Sequence, residues 1–208
     1  MIKKYRMPII MGTITAIIGF LITYANLTIY VGTSTKTGLP LGYDGREIFM
    51  TICAALGGPL AAVIAILQFP FIGLHLSLPA SGIAVIMLDR LAASLAIVIL
   101  YKFIYLRIKK LPLFLLFWAA AIWAYYEISL NIGIISGCIL SGTSVLAAYH
   151  GRVFNVLINP FIILEPPLTY LFTTLTFLAI PPHFRKPLWG QPKEHVSKEK
   201  HWVRETAI

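Results

Sequence analysis

The stretch that decides the fold is Tyr43-Asp44-Gly45-Arg46-Glu47 together with the apolar run 48–69 that follows it. Gly57-Gly58-Pro59 interrupts this run near its middle, and three charged side chains mark its entrance. A plain membrane-spanning helix has no use for such a break, because proline lacks the N–H of a helical hydrogen bond and clashes with the preceding turn. Irregular backbone at membrane depth persists only where protein buries it or water reaches it.

Two interpretations of this stretch remain open. In the first, the run is a re-entrant helical hairpin with a binding site near its charged entrance, since apolar segments broken by glycine and proline often mark binding sites in membrane proteins. In the second, the run is a kinked spanning helix whose glycines allow close packing on neighbours. Glycine and proline are common in transmembrane helices, so the break alone does not decide between the two.

The composition is that of an integral membrane protein. The chain has 208 residues, of which 58% are hydrophobic and 12% charged, against about 25% charged in soluble domains. Its net charge of +9 is interpreted as basic residues in cytoplasmic loops, because no aromatic-basic module typical of nucleic-acid binding is present. We therefore expect membrane lipid as the surrounding partner, no nucleic acid, and a location in the bacterial inner (cytoplasmic) membrane.

The sequence contains no pattern that predicts catalysis, a metal or a cofactor. Cys53 and Cys138 lie in apolar runs without metal-ligand spacing, so we interpret both as small buried hydrophobic residues. His75 and His150 lie at segment edges, where an interfacial histidine is the common role and a haem or pigment ligand the alternative. The P-loop and the signatures of hydrolases, zinc proteases and kinases are missing, which argues against an enzyme.

Hydropathy predicts an all-α membrane protein with five apolar segments, each long enough to cross a bilayer. The segments are 8–31, 46–69, 83–106, 112–132 and 153–180. We expect a polar loop over 32–42 and a short link over 70–81. The stretch 133–151, rich in glycine and serine, either extends the preceding helix or forms an interfacial loop.

Two regions follow from this division. Residues 1–181 form the predicted transmembrane helical domain, and residues 182–208 form a basic cytoplasmic tail with too few apolar residues to fold alone. A solvated tail is the default interpretation, and docking of its tryptophans on a partner or on lipid headgroups is the alternative.

The distribution of basic residues predicts both termini in the cytoplasm, since cytoplasmic loops are enriched in lysine and arginine. All basic clusters reach that side if four segments cross and the segment 46–69 enters and leaves from the outside. The predicted fold is therefore four or more crossings plus a re-entrant hairpin. A true crossing between 132 and 149 would restore the ordinary alternative. The clusters are Lys3, Lys4 and Arg6; Arg107, Lys109 and Lys110; and Arg185, Lys186 and Lys193.

Ionisable residues inside apolar segments are candidate site residues, because each costs about 2.5–3.5 kcal/mol to insert at the bilayer centre. Arg46 could hold a small anion through its planar guanidinium, with Asp44 at the helix start. The alternative is an N-cap aspartate followed by an interfacial arginine.

The remaining candidates are one basic and several acidic residues. Adjacent residues point in different directions on a helix, so Asp89 and Arg90 are expected to pair elsewhere: Asp89 with Arg46, and Arg90 with Glu127 or Glu165. Glu127, among aromatic residues, is a proton carrier, a cation ligand or a neutral buried carboxyl. Glu165 precedes two prolines and marks a ligand-facing bend or a packing kink. The predicted ligand-binding set is Asp44, Arg46, Gly57, Gly58, Pro59, Asp89, Arg90, Glu127 and Glu165.

The stretch 42–101, with Asp44-Gly45-Arg46 and then Ala54-Ala55-Leu56-Gly57-Gly58-Pro59, resembles the LytS-type five-transmembrane receptor region. That family places an Asn-x-Arg triplet before a short apolar run and Gly-Gly-Pro. Here Asp44 and Glu165 stand where the family has asparagine, and both changes make an anionic ligand less welcome. The resemblance implies the membrane-embedded sensor of a bacterial signalling protein.

No kinase, cyclase or phosphodiesterase domain follows the apolar segments, so a sensor of this kind would signal through a partner membrane or signalling protein. We therefore expect a non-enzymatic sensor that binds a small polar ligand. The alternatives are an accessory subunit of a membrane complex, with homo-oligomers left open, and the substrate-binding part of a transporter. Copurification with stoichiometric partners separates the second reading from the first, and substrate uptake into vesicles identifies the third.

Overall fold

The computed structural model describes residues 2–27, 29–33, 40–43, 45–158, 164–181 and 184–189. Within these ranges the chain is helical apart from one short two-stranded ladder. The elements, in chain order, are α1 (Ile2–Tyr24), β1 (Ile29–Thr33), β2 (Pro40–Tyr43), α2 (Arg46–Ile66), α3 (Gln68–His75), α4 (Ala80–Arg107), α5 (Leu111–Ser141), α6 (Val145–Ile158) and α7 (Glu165–Ala179).

Four helical segments are long and apolar enough to cross a membrane, which makes the chain a multi-pass membrane protein. They are Tyr5–Tyr24, Arg46–His75, Ala80–Arg107 and Leu111–Ser141. The fifth predicted apolar segment, 153–180, is divided between the end of α6 and the whole of α7, and neither helix alone has the length of a span.

The first helix ends at Tyr24, earlier than the predicted end at residue 31. Asn26 adopts a left-handed conformation, with φ 51°. The N–H of Leu27 donates to the carbonyl of Ile22, and the N–H of Asn26 donates to that of Thr23. These are the two bonds of a Schellman motif, so a backbone stop overrides the hydropathy that continues past it.

The connection between α1 and α2 is more ordered than the predicted loop over 32–42. Strands β1 and β2 pair antiparallel, with Ile29 opposite Tyr43 and Thr33 opposite Pro40. Proline is tolerated there because it occupies the first residue of its strand. The predicted all-α class thus needs this small correction.

The predicted link over 70–81 is largely helical, because α3 continues to His75. Pro70 is the third residue of α3, where its missing N–H costs no hydrogen bond. The helix ends in a second Schellman motif at Ser77, with φ 54°, where Leu78 donates to Gly73 and Ser77 donates to Leu74.

The stretch 133–151 follows the first of its two predicted interpretations for nine residues. Helix α5 continues to Ser141 and ends at Gly142, which has φ 67° and is the left-handed residue of the helix stop. Helix α6 begins three residues later, at Val145.

Helix α2 is broken at Gly58, where φ is 76° and ψ is −162°. Residues on the two sides of this break pack against each other: Cys53 clusters with Ala61 and Ala65, and Met50 clusters with Ile66, Phe69 and Ile72. In a straight helix Cys53 and Ala65 would lie about 18 Å apart along the axis. Helix α2 is therefore sharply bent at Gly58, and the bend brings these residues into contact.

Contacts with α1 define the two ends of the bundle. An added Cβ at Gly12 would meet Ala61 and Ile64, and one at Gly19 would meet the Gln68 side chain. The rings of Tyr24 and His75 are 5.4 Å apart. Helix α1 therefore runs parallel to the returning half of α2 and to α3. We call the end that contains Gly58, Tyr101 and Arg107 the basic end, and the end that contains Arg46 and His75 the opposite end.

The largest core cluster joins α2, α4, α5 and α7. Tyr101 stacks on Phe177 with ring centroids 5.3 Å apart, and Trp118 meets Phe177 edge-on at 5.2 Å. The Trp118 indole N–H donates to the Thr173 hydroxyl over 3.1 Å. Aromatic packing with a satisfied polar atom fixes α7 against the two longer helices.

Candidate functional site

Glu47, in the first turn of α2, is the centre of a buried group of polar side chains. Its side chain is 7% exposed, and its Oε1 atom lies 2.9 Å from Nη1 of Arg90 on α4. The Tyr125 hydroxyl on α5 donates a hydrogen bond to Oε2 of the same carboxylate. Both oxygens of Glu47 are thus held by partners on two other helices, as a buried carboxylate requires.

Asp89 extends this group along α4. Its Oδ1 lies 3.7 Å from Nε of Arg90, and the buried Ser129 hydroxyl on α5 is hydrogen-bonded to it. The expectation that Asp89 and Arg90 do not pair was wrong, because the long arginine side chain reaches the neighbouring carboxylate. Gly133 leaves room for this carboxylate: an added Cβ would lie 3.0 Å from Oδ2.

The start of α7 completes the group from the other side. The Tyr126 hydroxyl lies 2.7 Å from the Thr169 hydroxyl and 3.4 Å from Oε1 of Glu165. Glu165 also lies near enough to interact electrostatically with Arg90. We call the whole group the polar cluster; its members are Glu47, Asp89, Arg90, Tyr125, Tyr126, Ser129, Glu165 and Thr169.

The polar cluster lies well inside the bundle. Asp89 comes nine residues after the start of α4 at Ala80, which corresponds to about 14 Å of helix. The cluster therefore lies between the two ends of α4, a helix long and apolar enough to cross a membrane. Ionisable side chains at such depth are rare and usually carry a function, so the cluster is the principal candidate site.

The structure brings together Asp89, Arg90 and Glu165 from the predicted set. Arg46 opens α2 as a half-buried residue one position before Glu47. Asp44 lies outside the described residues. The Glu127 side chain contacts Asn131: the Asn131 amide donates to Oε2 of Glu127 over 3.4 Å and to the Glu127 backbone carbonyl over 2.6 Å. The Tyr149 hydroxyl of α6 in turn donates to the Asn131 carbonyl oxygen.

The glycine-proline break lies away from the polar cluster. Gly57, Gly58 and Pro59 follow Glu47 by ten to twelve residues, or about 15–18 Å along the first part of α2. They form the bend of α2 at the basic end. In the described structure they shape the backbone and do not line the cluster.

Both cysteines are buried and free, as the sequence predicts. His75 and His150 are exposed, and His75 lies beside the Tyr24 ring. Among residues 2–27, 29–33, 40–43, 45–158, 164–181 and 184–189, no group of three histidine, cysteine, aspartate or glutamate side chains is placed to hold a metal ion.

Several cluster members were not in the predicted set. Glu47 is one of the ionisable residues that the sequence offers as site candidates, but it stands outside the predicted ligand-binding set. Tyr125 and Ser129 are spaced i, i+4 on α5 and share one helix face. Together with Glu47, this spacing was the sequence feature from which the cluster could have been predicted. Thr169 had no distinctive pattern, because only the approach of α7 gives it a polar partner.

The cluster contains more acidic than basic groups: Glu47, Asp89 and Glu165 surround the single guanidinium of Arg90. Such a site can hold a positively charged group in place of, or beside, the guanidinium, since opposite charges attract strongly where water is excluded. Comparison of the chain with protein-family models, curated proteins and solved structures found no match.

Proposed function

We propose that this protein is a non-enzymatic, receptor-like membrane module that binds a small polar ligand at the polar cluster and signals through a partner protein. The observation that supports the proposal most directly is the buried Glu47–Arg90 ion pair of 2.9 Å. It ties the start of α2 to α4 and α5 close to the start of α7. A ligand that exchanges one of these contacts would change how the helices pack.

The proposal includes a re-entrant hairpin formed by α2 and α3. It is supported by the packing of Cys53 on Ala61 and Ala65 across the Gly58 break. It is also supported by the positions of Arg46 and His75, which both lie at the opposite end of the bundle. In this topology the remaining apolar segments cross the membrane and α6 and α7 together form a broken crossing.

The orientation follows from the basic residues. Arg107 ends α4, and Lys109 and Lys110 follow it before α5, all at the basic end, where α1 also begins. The positive-inside rule places that end in the cytoplasm. The polar cluster would then be reached from outside the cell, and a partner would meet the protein from the cytoplasmic side of the inner membrane.

The charge balance of the polar cluster indicates which charge the proposed ligand carries. With three carboxylates and one guanidinium around the site, a ligand that carries a positive charge is favoured over an anion. This agrees with the acidic residues that stand where the LytS-type pattern has asparagine. The likeness to that receptor region, carried by Arg46 and Gly57-Gly58-Pro59, supports a sensing role.

The test is a thermal-shift screen of purified protein with small amines, amino acids and organic acids, followed by the same screen on Glu47→Gln. We expect at least one cationic compound to raise the unfolding midpoint of the wild type and to lose this effect in Glu47→Gln. The matched control is Glu127→Gln, which makes the same chemical change on α5 outside the cluster and should keep the shift.

A ligand that stabilises wild type and Glu47→Gln equally would remove the polar cluster from the proposed site. A screen in which only anions stabilise the protein, with the effect lost in Arg46→Ala, would move the site to the entrance of α2.

A structural role for the cluster is the second candidate, and it makes the chain an accessory subunit of a membrane complex. It is favoured because Glu47 is already bonded through both oxygens. A second reason is that a cavity in the described part of the structure lies away from the polar cluster, at the basic end between Tyr101, Phe177 and Arg185. Copurification of stoichiometric partners from native membranes, together with no ligand response, would establish this alternative.

A further inference from the structure

The segment Phe184–Trp189 crosses the tip of the folded-back α2 at the basic end. The N–H of Leu188 donates to the carbonyl of Leu56 over 2.8 Å. The indole N–H of Trp189 donates to the carbonyl of Ala55 over 3.3 Å. Part of the chain predicted to be a solvated tail thus packs on the transmembrane domain. We call Phe184–Trp189 the strap.

The Gly58–Pro59 break explains why these two carbonyls need partners. In an unbroken helix the carbonyl of Ala55 would accept from the N–H of residue 59, but Pro59 has none. The backbone at Gly58 is non-helical, so the regular ladder stops there. The strap supplies the donors that the first part of α2 lacks at its end, as capping groups do for other helices.

Gly58 also leaves the space in which the strap packs. A Cβ at this position would lie 2.2 Å from the indole ring of Trp189, so glycine lets the ring rest directly on the backbone. The Nζ atom of Lys102 lies 5.2 Å from the centroid of the same ring, and the Tyr101 hydroxyl donates to the carbonyl of Arg185 over 2.7 Å. The strap is therefore seated on α2 and α4 together.

The strap lies near the surface: Phe184 is 60% and Leu188 39% exposed. Leu188 and Trp189 each bind it to α2 by one hydrogen bond. Short, partly exposed segments open locally at a fraction of the global unfolding free energy. Ala55 and Leu56, whose carbonyls accept hydrogen bonds from the strap, lie at one end of the first part of α2. Glu47 of the polar cluster lies at the other end of the same helical part.

We propose that the strap covers the tip of the α2 hairpin and can detach from it. Its detachment transmits a change in the polar cluster to the cytoplasmic side. The first part of α2 is a short helix that moves as a unit, and Gly58 is the point where it can turn relative to its returning half. A change at Glu47 shifts the carbonyls of Ala55 and Leu56 and weakens the strap. The reporting role rests on the proposed function; the closure does not.

The experiment is amide hydrogen exchange at Leu188 in the full chain in lipid nanodiscs, resolved by fragment mass spectrometry. Pro187 has no amide, which isolates the Leu188 signal. Trp189→Ala should speed exchange by about tenfold, the change in an equilibrium constant expected when one hydrogen bond and its packing are lost. Leu188→Ala keeps the backbone donor and should leave exchange within about twofold. Trp189→Phe keeps an aromatic ring but removes the indole N–H. It therefore separates the effect of the indole hydrogen bond on exchange from the effect of ring packing.

A second pair of variants tests the reporting role. Glu47→Gln should speed exchange at residue 188 severalfold, although residue 47 does not touch the strap, and Glu127→Gln should not. Unprotected exchange of Leu188 in the wild type would overturn the closure. Faster exchange in Trp189→Ala with no change in Glu47→Gln would overturn the reporting role, while the thermal-shift result for ligands would stand independently.

Discussion

Among single residues, the buried charges of Glu47 and Arg90 are the main feature of the polar cluster. Glu47 and Arg90 pair at 2.9 Å with side chains 7% and 25% exposed. A buried pair adds little net stability, but removing one partner leaves the other charge uncompensated and costs about 3–5 kcal/mol. Each of the two side chains therefore depends on the other for its stability in the bundle.

We predict that Glu47→Gln lowers the unfolding free energy by about 3 kcal/mol. Arg90→Gln should cost a similar amount, whereas the double variant should cost clearly less than the sum, because neither charge is then left alone. The measurement is a double-mutant cycle of denaturant unfolding in detergent micelles. Strict additivity would show that the two side chains do not depend on each other.

A second residue-scale prediction concerns the contact that fixes α7. Trp118→Phe removes the indole donor to the buried Thr173 hydroxyl and should destabilise the protein by about 1–3 kcal/mol. Trp123→Phe is the matched control, since Trp123 is 51% exposed, and it should change stability by less than about 0.5 kcal/mol. Equal effects of the two substitutions would contradict the assigned role of the Trp118 hydrogen bond.

At the scale of elements, the break in α2 is the feature that sequence reasoning located best. The Gly-Gly-Pro pattern identified the right residues, because proline and a left-handed glycine leave a chemical mark in the sequence. The ends of α1 and α3 were missed. Their stops depend on Asn26 and Ser77 in left-handed conformations, and non-glycine residues reveal such conformations only weakly in a single sequence.

We predict that Gly58→Ala destabilises the fold by two separable contributions. The backbone at φ 76° and ψ −162° lies in a region used almost only by glycine and costs a residue with a side chain about 1–3 kcal/mol, and the added methyl group collides with Trp189. In a Trp189→Ala background only the first contribution should remain, so the two substitutions should be less than additive. Unfolding midpoints of the four proteins measure this.

The control for this substitution is Gly137→Ala on α5. An added Cβ at Gly137 meets nothing within 4 Å, and alanine favours helix over glycine by about 1 kcal/mol. We expect Gly137→Ala to be neutral or stabilising. A loss of stability as large as that of Gly58→Ala would show that the break has no special demand for glycine.

At the scale of the whole molecule, the sequence predicted a multi-pass membrane protein and the structure confirms it through four long apolar helices. Of the nine predicted site residues, three meet in the polar cluster. Asp89, Arg90 and Glu165 could be found because charge is conspicuous in apolar segments. Their partners Tyr125, Ser129 and Thr169 could not, since tyrosine, serine and threonine are ordinary in such helices and only packing shows which of them meet.

The central claim is that α2 and α3 enter and leave the membrane on one side. It is tested by labelling single cysteines with an impermeant maleimide in right-side-out and inverted vesicles, in a Cys53→Ala, Cys138→Ala background. The three positions are Lys36→Cys before α2, Leu76→Cys after α3, and Lys109→Cys between α4 and α5. We predict that residues 36 and 76 react from the same side and residue 109 from the other. Reaction of residues 36 and 109 from one side and residue 76 from the other would contradict the account.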